Sequence, residues 1–249
     1  MINIFNIPVK INPQRIQFRS APPSSFSPVT NPSQDAFSKN PMQDLLATSE
    51  IEATAKANPK ILNILNENNL PLKVNSKELD ELKSGHMNDT RVLTAKIYSS
   101  LPEDIKKPIN PKALQTAALL HDYGKALIPS EVLNKNGALN ETEREIMNLH
   151  SELSYELLKN KNLDEETLNL IRYHHQNPQS SRYPMVEENY DCDNMSLQIL
   201  KAADQYSALR EDRCYREALS KEEALEIIHK DVEDGNLSEE VFNALVKSV

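Results

Sequence analysis

The stretch from Leu114 to Lys125, LQTAALLHDYGK, constrains this chain most, because it drives a His–Asp pair to the inner end of an apolar stripe. Asn110 can cap a helix there, Pro111 suits its first turn, and Gly124 can end it. Spacing by three and four puts Leu114, Ala117, Ala118 and His121 on one face. A charged Asp122 at the end of that face is costly to bury unless something pairs with it. A metal ion is one such partner, and it would need further ligands from elsewhere in the chain.

Those ligands recur on other apolar stripes. A helical period runs from Gln43 to about Asn58, and a second short helix from Pro59 to Asn69. Ser76 can cap a helix carrying Leu79, Leu82, His86, Leu93 and Ile97, which Gly85 would break or bend. After a loop with a short helical turn at Ser130 to Leu133, Asn140 and Glu143 form a capping-box pattern. The helix beyond it presents Ile146, Leu149, His150, Leu153 and Leu157. Asp164 can cap the next, with Leu168, Ile171, His174 and His175, and Ser196 to Arg210 presents Leu197, Leu200 and Asp204. Ser220 with Glu223, and Ser238, start two closing helices. No alternating β-branched run with hairpin turns appears, so the expected fold is all-α.

Residues 1–43 differ in kind. They hold seven of the 15 prolines, four of the five phenylalanines and none of the four glycines, and they carry +3 where the whole chain carries −9. Such a segment buries too little apolar surface to offset its ordering entropy, and it is expected to be a disordered tail. A docking role for it toward a protein partner, through MINIFNI, stays open. Residues 44–74 are expected to form N-terminal helices and 75–249 the functional domain. The acidic balance supplies no basic footprint for nucleic acid, and no run of about 18 apolar residues suggests a membrane span. Cys192 and Cys214 form no disulfide framework, and with no signal-like N-terminus a cytoplasmic protein is expected.

Five of the six histidines (86, 121, 150, 174 and 175) and the carboxylates Asp122 and Asp204 therefore fall on or beside apolar faces. Singly, each such histidine is most often a satisfied core residue. Together they would leave several buried polar groups unpaired. Imidazole plus carboxylate suits iron, manganese or zinc, and the lack of cysteine argues against a structural zinc site. Seven candidates exceed the needs of one tetrahedral ion, which leads to two metals, a known clamp for phosphate-ester displacement.

His86, the His121–Asp122 pair and Asp204 resemble the H…HD…D signature of the HD-domain phosphohydrolase superfamily. His150, the His174–His175 doublet, HDYGK and DQYSALREDRCYREALSKEEAL resemble its HD-GYP subgroup of cyclic di-GMP phosphodiesterases, over about Ser76 to Ile228. The resemblance implies an HD-domain helical bundle with two divalent metals, iron or manganese, that activate a water for attack on phosphorus. It implies one metal on His86, His121, Asp122 and Asp204, and a second on His150, His174 and His175 with Asp122 bridging. Lys125 matches the family lysine that contacts the phosphate or orients the nucleophile. Arg213 and Arg216 match basic positions that grip substrate phosphates.

Three features depart from the family pattern, one being the absence of the Trp-Asp-Gly run that usually follows the doublet, near whose place Gln176-Asn177-Pro178 stand. Gly-Tyr-Pro is replaced by Arg182-Tyr183-Pro184, which puts bulk and charge where a glycine admits close approach. Tyr183 could still stack on a base. Leu82 stands where some members carry a third-metal glutamate, so two metals are expected. The leading expectation is hydrolysis of cyclic di-GMP, a small anionic nucleotide substrate. Two other readings stay open: an HD phosphohydrolase for another nucleotide or phosphate ester, and a catalytically silent binding module.

Overall fold

A computed structural model of the chain describes residues 47–176, 183, 184, 191, 193–212 and 216–249. The expected tail (1–43), Arg182, Arg213 and both cysteines lie outside the described residues. Among the described residues the chain forms α-helices, one 3₁₀ turn and no strand. In order they are α1 (Thr48–Ala57), α2 (Pro59–Glu67), α3 (Ser76–Ser84), α4 (His86–Ser100), α5 (Glu103–Lys106) and α6 (Pro111–Leu120). The 3₁₀ turn (Tyr123–Leu127) and α7 (Ser130–Leu133) lead to α8 (Glu141–Leu158) and α9 (Glu165–Tyr173). Then come α10 (Met195–Leu209), α11 (Lys221–Glu233) and α12 (Glu239–Ser248).

The starts follow local chemistry. Asn110 Oδ1 accepts from the amides of Lys112 and Ala113, with Pro111 in the first turn of α6. Asn140 with Glu143 and Ser220 with Glu223 close complete capping boxes on α8 and α11. Asp164 and Ser238 accept from Thr167 and Val241. Three boundaries differ from the sequence reading. Ser76 is the first helical residue of α3 rather than its cap, and Asn194, not a residue at the start of the 196–210 run, caps α10. The break at Gly85 is complete: its amide donates to Glu81 O while its carbonyl accepts from Asp89, so α3 ends and α4 begins there.

The third difference lies in the central helix, which stops at Leu120, four positions before Gly124. The chain then tightens into the 3₁₀ turn, and Gly124 serves packing rather than capping. A Cβ on it would stand 2.2 Å from His150 O and 2.5 Å from Ser154 N, so only glycine lets this turn lie directly on α8.

One core runs through the molecule. α4 packs on α6, α10 and α12, while α9 bridges α6 and α8. Ile97, Leu114, Leu120, Leu153, Leu157, Leu200 and Leu245 are fully buried within it, each worth about 1.5–3 kcal/mol by transfer. Ile51 of α1 and Ile61 and Leu65 of α2 join the same cluster. No helix among the described residues is long and apolar enough to cross a membrane.

Candidate metal centre

Five helices deliver polar side chains to one buried place. His86 is the first residue of α4, His121 and Asp122 follow the last turn of α6, and His150 lies within α8. His174 and His175 follow α9, and Asp204 lies in α10. All seven residues fall into groups whose ligand atoms lie within 4.8 Å of one another: His86 with His121 and Asp122, His121 with His174 and Asp204, and His150 with His174 and His175.

Backbone carbonyls fix the tautomers of three imidazoles. Nδ1 of His121, His150 and His174 lies 2.9, 2.7 and 2.7 Å from the carbonyls of Ala118, Met147 and Ile171, each three residues earlier. A carbonyl only accepts, so in each ring Nδ1 carries a proton, and in the neutral form Nε2 presents a lone pair. Burial first, and then neighbouring positive groups, hold His150 down at about 4 and His174 at about 3, so both are neutral. Yet His150 Nε2 and His174 Nε2 face each other at 3.3 Å, lone pair to lone pair. His175 Nε2 lies 3.2 Å from the same His150 atom. One proton on His175 can answer one of these lone pairs, not both.

Two nitrogens held at about 2.0–2.1 Å on one tetrahedral cation stand roughly 3.4 Å apart. The observed spacings fit a shared cation and no all-neutral hydrogen-bond pattern.

The carboxylates hold the other half. Asp204 Oδ1 lies 2.9 Å from His86 Nε2 and 3.5 Å from His121 Nε2. Asp122 faces both ways: Oδ2 lies 3.6 Å from His86 Nε2 and 3.4 Å from His121 Nε2, while Oδ1 lies 3.3 Å from His150 Nε2. Burial alone would raise both acids, but Lys125 and His121 hold Asp122 well below the carboxylate range, and His121 and His86 do the same for Asp204. Burial would lower His121, yet Asp122 and Asp204 outweigh it and lift it to about 10. The cluster thus demands positive charge. His121 Nε2, Asp122 Oδ1 and His86 Nδ1 are buried with no hydrogen-bond partner among the described residues, a state that costs about 1–3 kcal/mol per group. Donor set, spacing and orphaned atoms all fit divalent cations.

Around the cluster the sequence expectations divide. Lys125 Nζ pairs with Asp122 Oδ2 at 2.6 Å. The ring of Tyr183 lies 4.7 Å from His175 and 6.1 Å from His150, against the doublet. Arg216 donates to the carbonyls of Ala208 (2.9 Å) and Leu209 (3.3 Å), which ties it to the end of α10. Two contributors were not foreseen. Ser154 Oγ accepts from the Gly124 amide and donates to His121 O, both at 2.7 Å, and its place one turn after His150 was a usable signal. Glu211 Oε2 lies 3.8 Å from His86 Nδ1. It stands seven residues after Asp204, on the same face, but past the end of α10.

A cavity of about 270 Å³ opens beside His86 and Lys125. Glu78, Glu81, Glu211, Asp212 and Lys135 are among the residues that line it.

A family model described as HD domain matches residues 73–237, more than half of the chain. The chain is 33% identical over 137 residues to the 3'3'-cGAMP-specific phosphodiesterase 1 of Vibrio cholerae, covering 55% of this chain and 32% of that protein. It is 35% identical over 123 residues to the cyclic di-GMP phosphodiesterase response regulator RpfG of Xanthomonas campestris, covering 47% and 32%. The chain thus spans about a third of the length of these curated relatives. The solved HD domain of the L. monocytogenes phosphodiesterase PgpH superposes with a TM-score of 0.46 at 15% identity, covering 68% of this chain and 92% of that one.

Proposed function

Because the chain belongs to the HD-domain family, we propose that it hydrolyses a phosphodiester bond of a cyclic dinucleotide, cyclic di-GMP foremost, with two divalent cations of iron or manganese. The observation that carries the metal reading is the pair of facing lone pairs on His150 and His174, 3.3 Å apart in a buried site. The names of the similar proteins, which act on cyclic di-GMP or 3'3'-cGAMP, support the substrate class.

In this reading His86, His121, Asp122 and Asp204 hold one cation. His150, His174 and His175 hold the other, and the two oxygens of Asp122 serve both halves. Bound cations supply Lewis acidity and a water of lowered pKa. The chain's own residues do the rest. The carbonyls of Ala118, Met147 and Ile171 keep three imidazoles in the ligating tautomer. The Lys125 ammonium, held at Asp122 beside the cavity, meets a phosphate oxygen and offsets charge that grows there during displacement. Tyr183 offers a face for a base next to the doublet. Arg182 and Arg213 complete the substrate grip, Arg213 as a guanidinium fork for phosphate. Arg216 contributes from the end of α10.

The test is metal content per chain after purification with Mn or Fe, with release of linear product from cyclic di-GMP, 3'3'-cGAMP and a generic phosphodiester. Two metals per chain with cyclic dinucleotide turnover is the expected result. Turnover of the generic ester alone would move the substrate to another phosphate ester. Metal-free protein without turnover would leave a binding module.

A further inference from the structure

Three of the four imidazoles with a strongly buried ring have Nδ1 set against a carbonyl three residues back. His86 cannot use that device. It is the first residue of α4, and Gly85 has just broken the chain away from α3. Its Nδ1 is accordingly buried without a hydrogen-bond partner among the described residues, while its Nε2 lies 2.9 Å from Asp204. The group nearest that Nδ1 in charge terms is Glu211, whose Oε2 lies 3.8 Å away. Glu211 is exposed over about two fifths of its side chain, at 41%, and lines the cavity beside His86.

We propose that Glu211 is the positioning residue for His86, closing on Nδ1–H when Nε2 gives its lone pair to a cation. This rests on the metal reading above. An imidazole that ligates through Nε2 must carry its proton on Nδ1, and a carboxylate facing that proton fixes the tautomer and raises the basicity of the ligating nitrogen. Three of the ligand helices build this orientation into the backbone; the fourth borrows it from a side chain at the end of α10. His150 and His174 in one half, and His121 in the other, are thus set by the backbone, while His86 depends on a side chain lining the cavity. Occupancy of the His86 half becomes the more easily perturbed of the two.

The test is calorimetric titration of Mn²⁺ into the full 249-residue chain and its Glu211→Ala, Glu211→Gln and Glu211→Asp variants, with melting of each metal-free protein as the structural control. The wild type takes up two ions. Glu211→Ala weakens one of them by about 10–100-fold, the usual effect of removing such a partner, and leaves the other within about twofold. Glu211→Gln and Glu211→Asp, which keep an acceptor, lose clearly less, and the metal-free melting temperature stays put. Two ions bound by Glu211→Ala with wild-type affinity would overturn the role of Glu211 while leaving the metal centre standing. Equal losses in the Ala and Gln variants would also overturn it, because bulk charge rather than an oriented acceptor would then be responsible. A wild type that binds no Mn²⁺ would remove both this inference and the reading under it.

Discussion

In the proposed reading Asp122 is the residue that joins the two halves of the centre. Its oxygens face His86 and His121 on one side and His150 on the other. Asp122→Ala is expected to lose both metals and all turnover, measured as metal per chain and product release; an unchanged rate would end its role as a shared ligand. Lys125→Ala should act differently. The ammonium touches Asp122 from the cavity side, so turnover should fall with metal content intact, and loss of metal instead would make Lys125 a structural counter-ion. At this scale the sequence was informative wherever a polar residue broke an apolar stripe, because burial makes such a residue expensive without a partner. All seven ligand candidates announced themselves in that way. Glu211 did not, because helical spacing says nothing past a helix end. Arg216, whose sequence context pointed to substrate phosphates, also holds the carbonyls of Ala208 and Leu209 with part of its fork.

Among the elements, the contact between the 3₁₀ turn and α8 aligns His121 and Asp122 with His150. Gly124→Ala must push these apart, since its new carbon would meet His150 O at 2.2 Å and Leu153 Cβ at 2.9 Å. Overpacking of about 1–3 kcal/mol predicts a fall in Tm of roughly 2–12 °C in a chain of this size; a fall below about 2 °C would mean the turn can lift off α8 freely. The starts of α6, α8, α9, α11 and α12 were legible because caps are local chemistry, while those of α3 and α10 were misplaced. The role of Gly124 was not legible, because a C-terminal glycine and a close-packed glycine look alike until the opposing helix is placed.

The two capping boxes give a further expectation. Glu143, by its bond to Lys135 and then to the Asn140 amide, and Glu223, by its bonds to Ser220, both titrate below the ordinary 4.5. Groups lowered on folding stabilise fully above that ordinary value, and the gain disappears as pH falls through the folded one. Between about pH 6 and 3 the wild type should therefore lose Tm more steeply than Glu143→Gln/Glu223→Gln. Parallel curves would show that the boxes contribute nothing through charge.

At the scale of the whole molecule, one continuous core holds five ligand-bearing helices in register, and the all-α architecture followed from stripe spacing and the lack of alternating β-branched runs. Which helices adjoin was not legible, because periodicity fixes a face and not its neighbour. Charge balance was: the chain carries −9. The cavity lining repeats that sign locally, with Glu78, Glu81, Glu211 and Asp212 against Lys125 and Lys135. A doubly anionic visitor crosses this acidic fringe before it reaches the two proposed cations deeper in the site, so the fringe brakes the outer part of its approach. Dissolved ions shorten the reach of that brake from about 30 Å at 0.01 M to about 8 Å at 0.15 M. Specificity for a cyclic dinucleotide, read as kcat/KM, should then climb as potassium chloride is added over that range, opposite to the trend of a basic, electrostatically attracting enzyme.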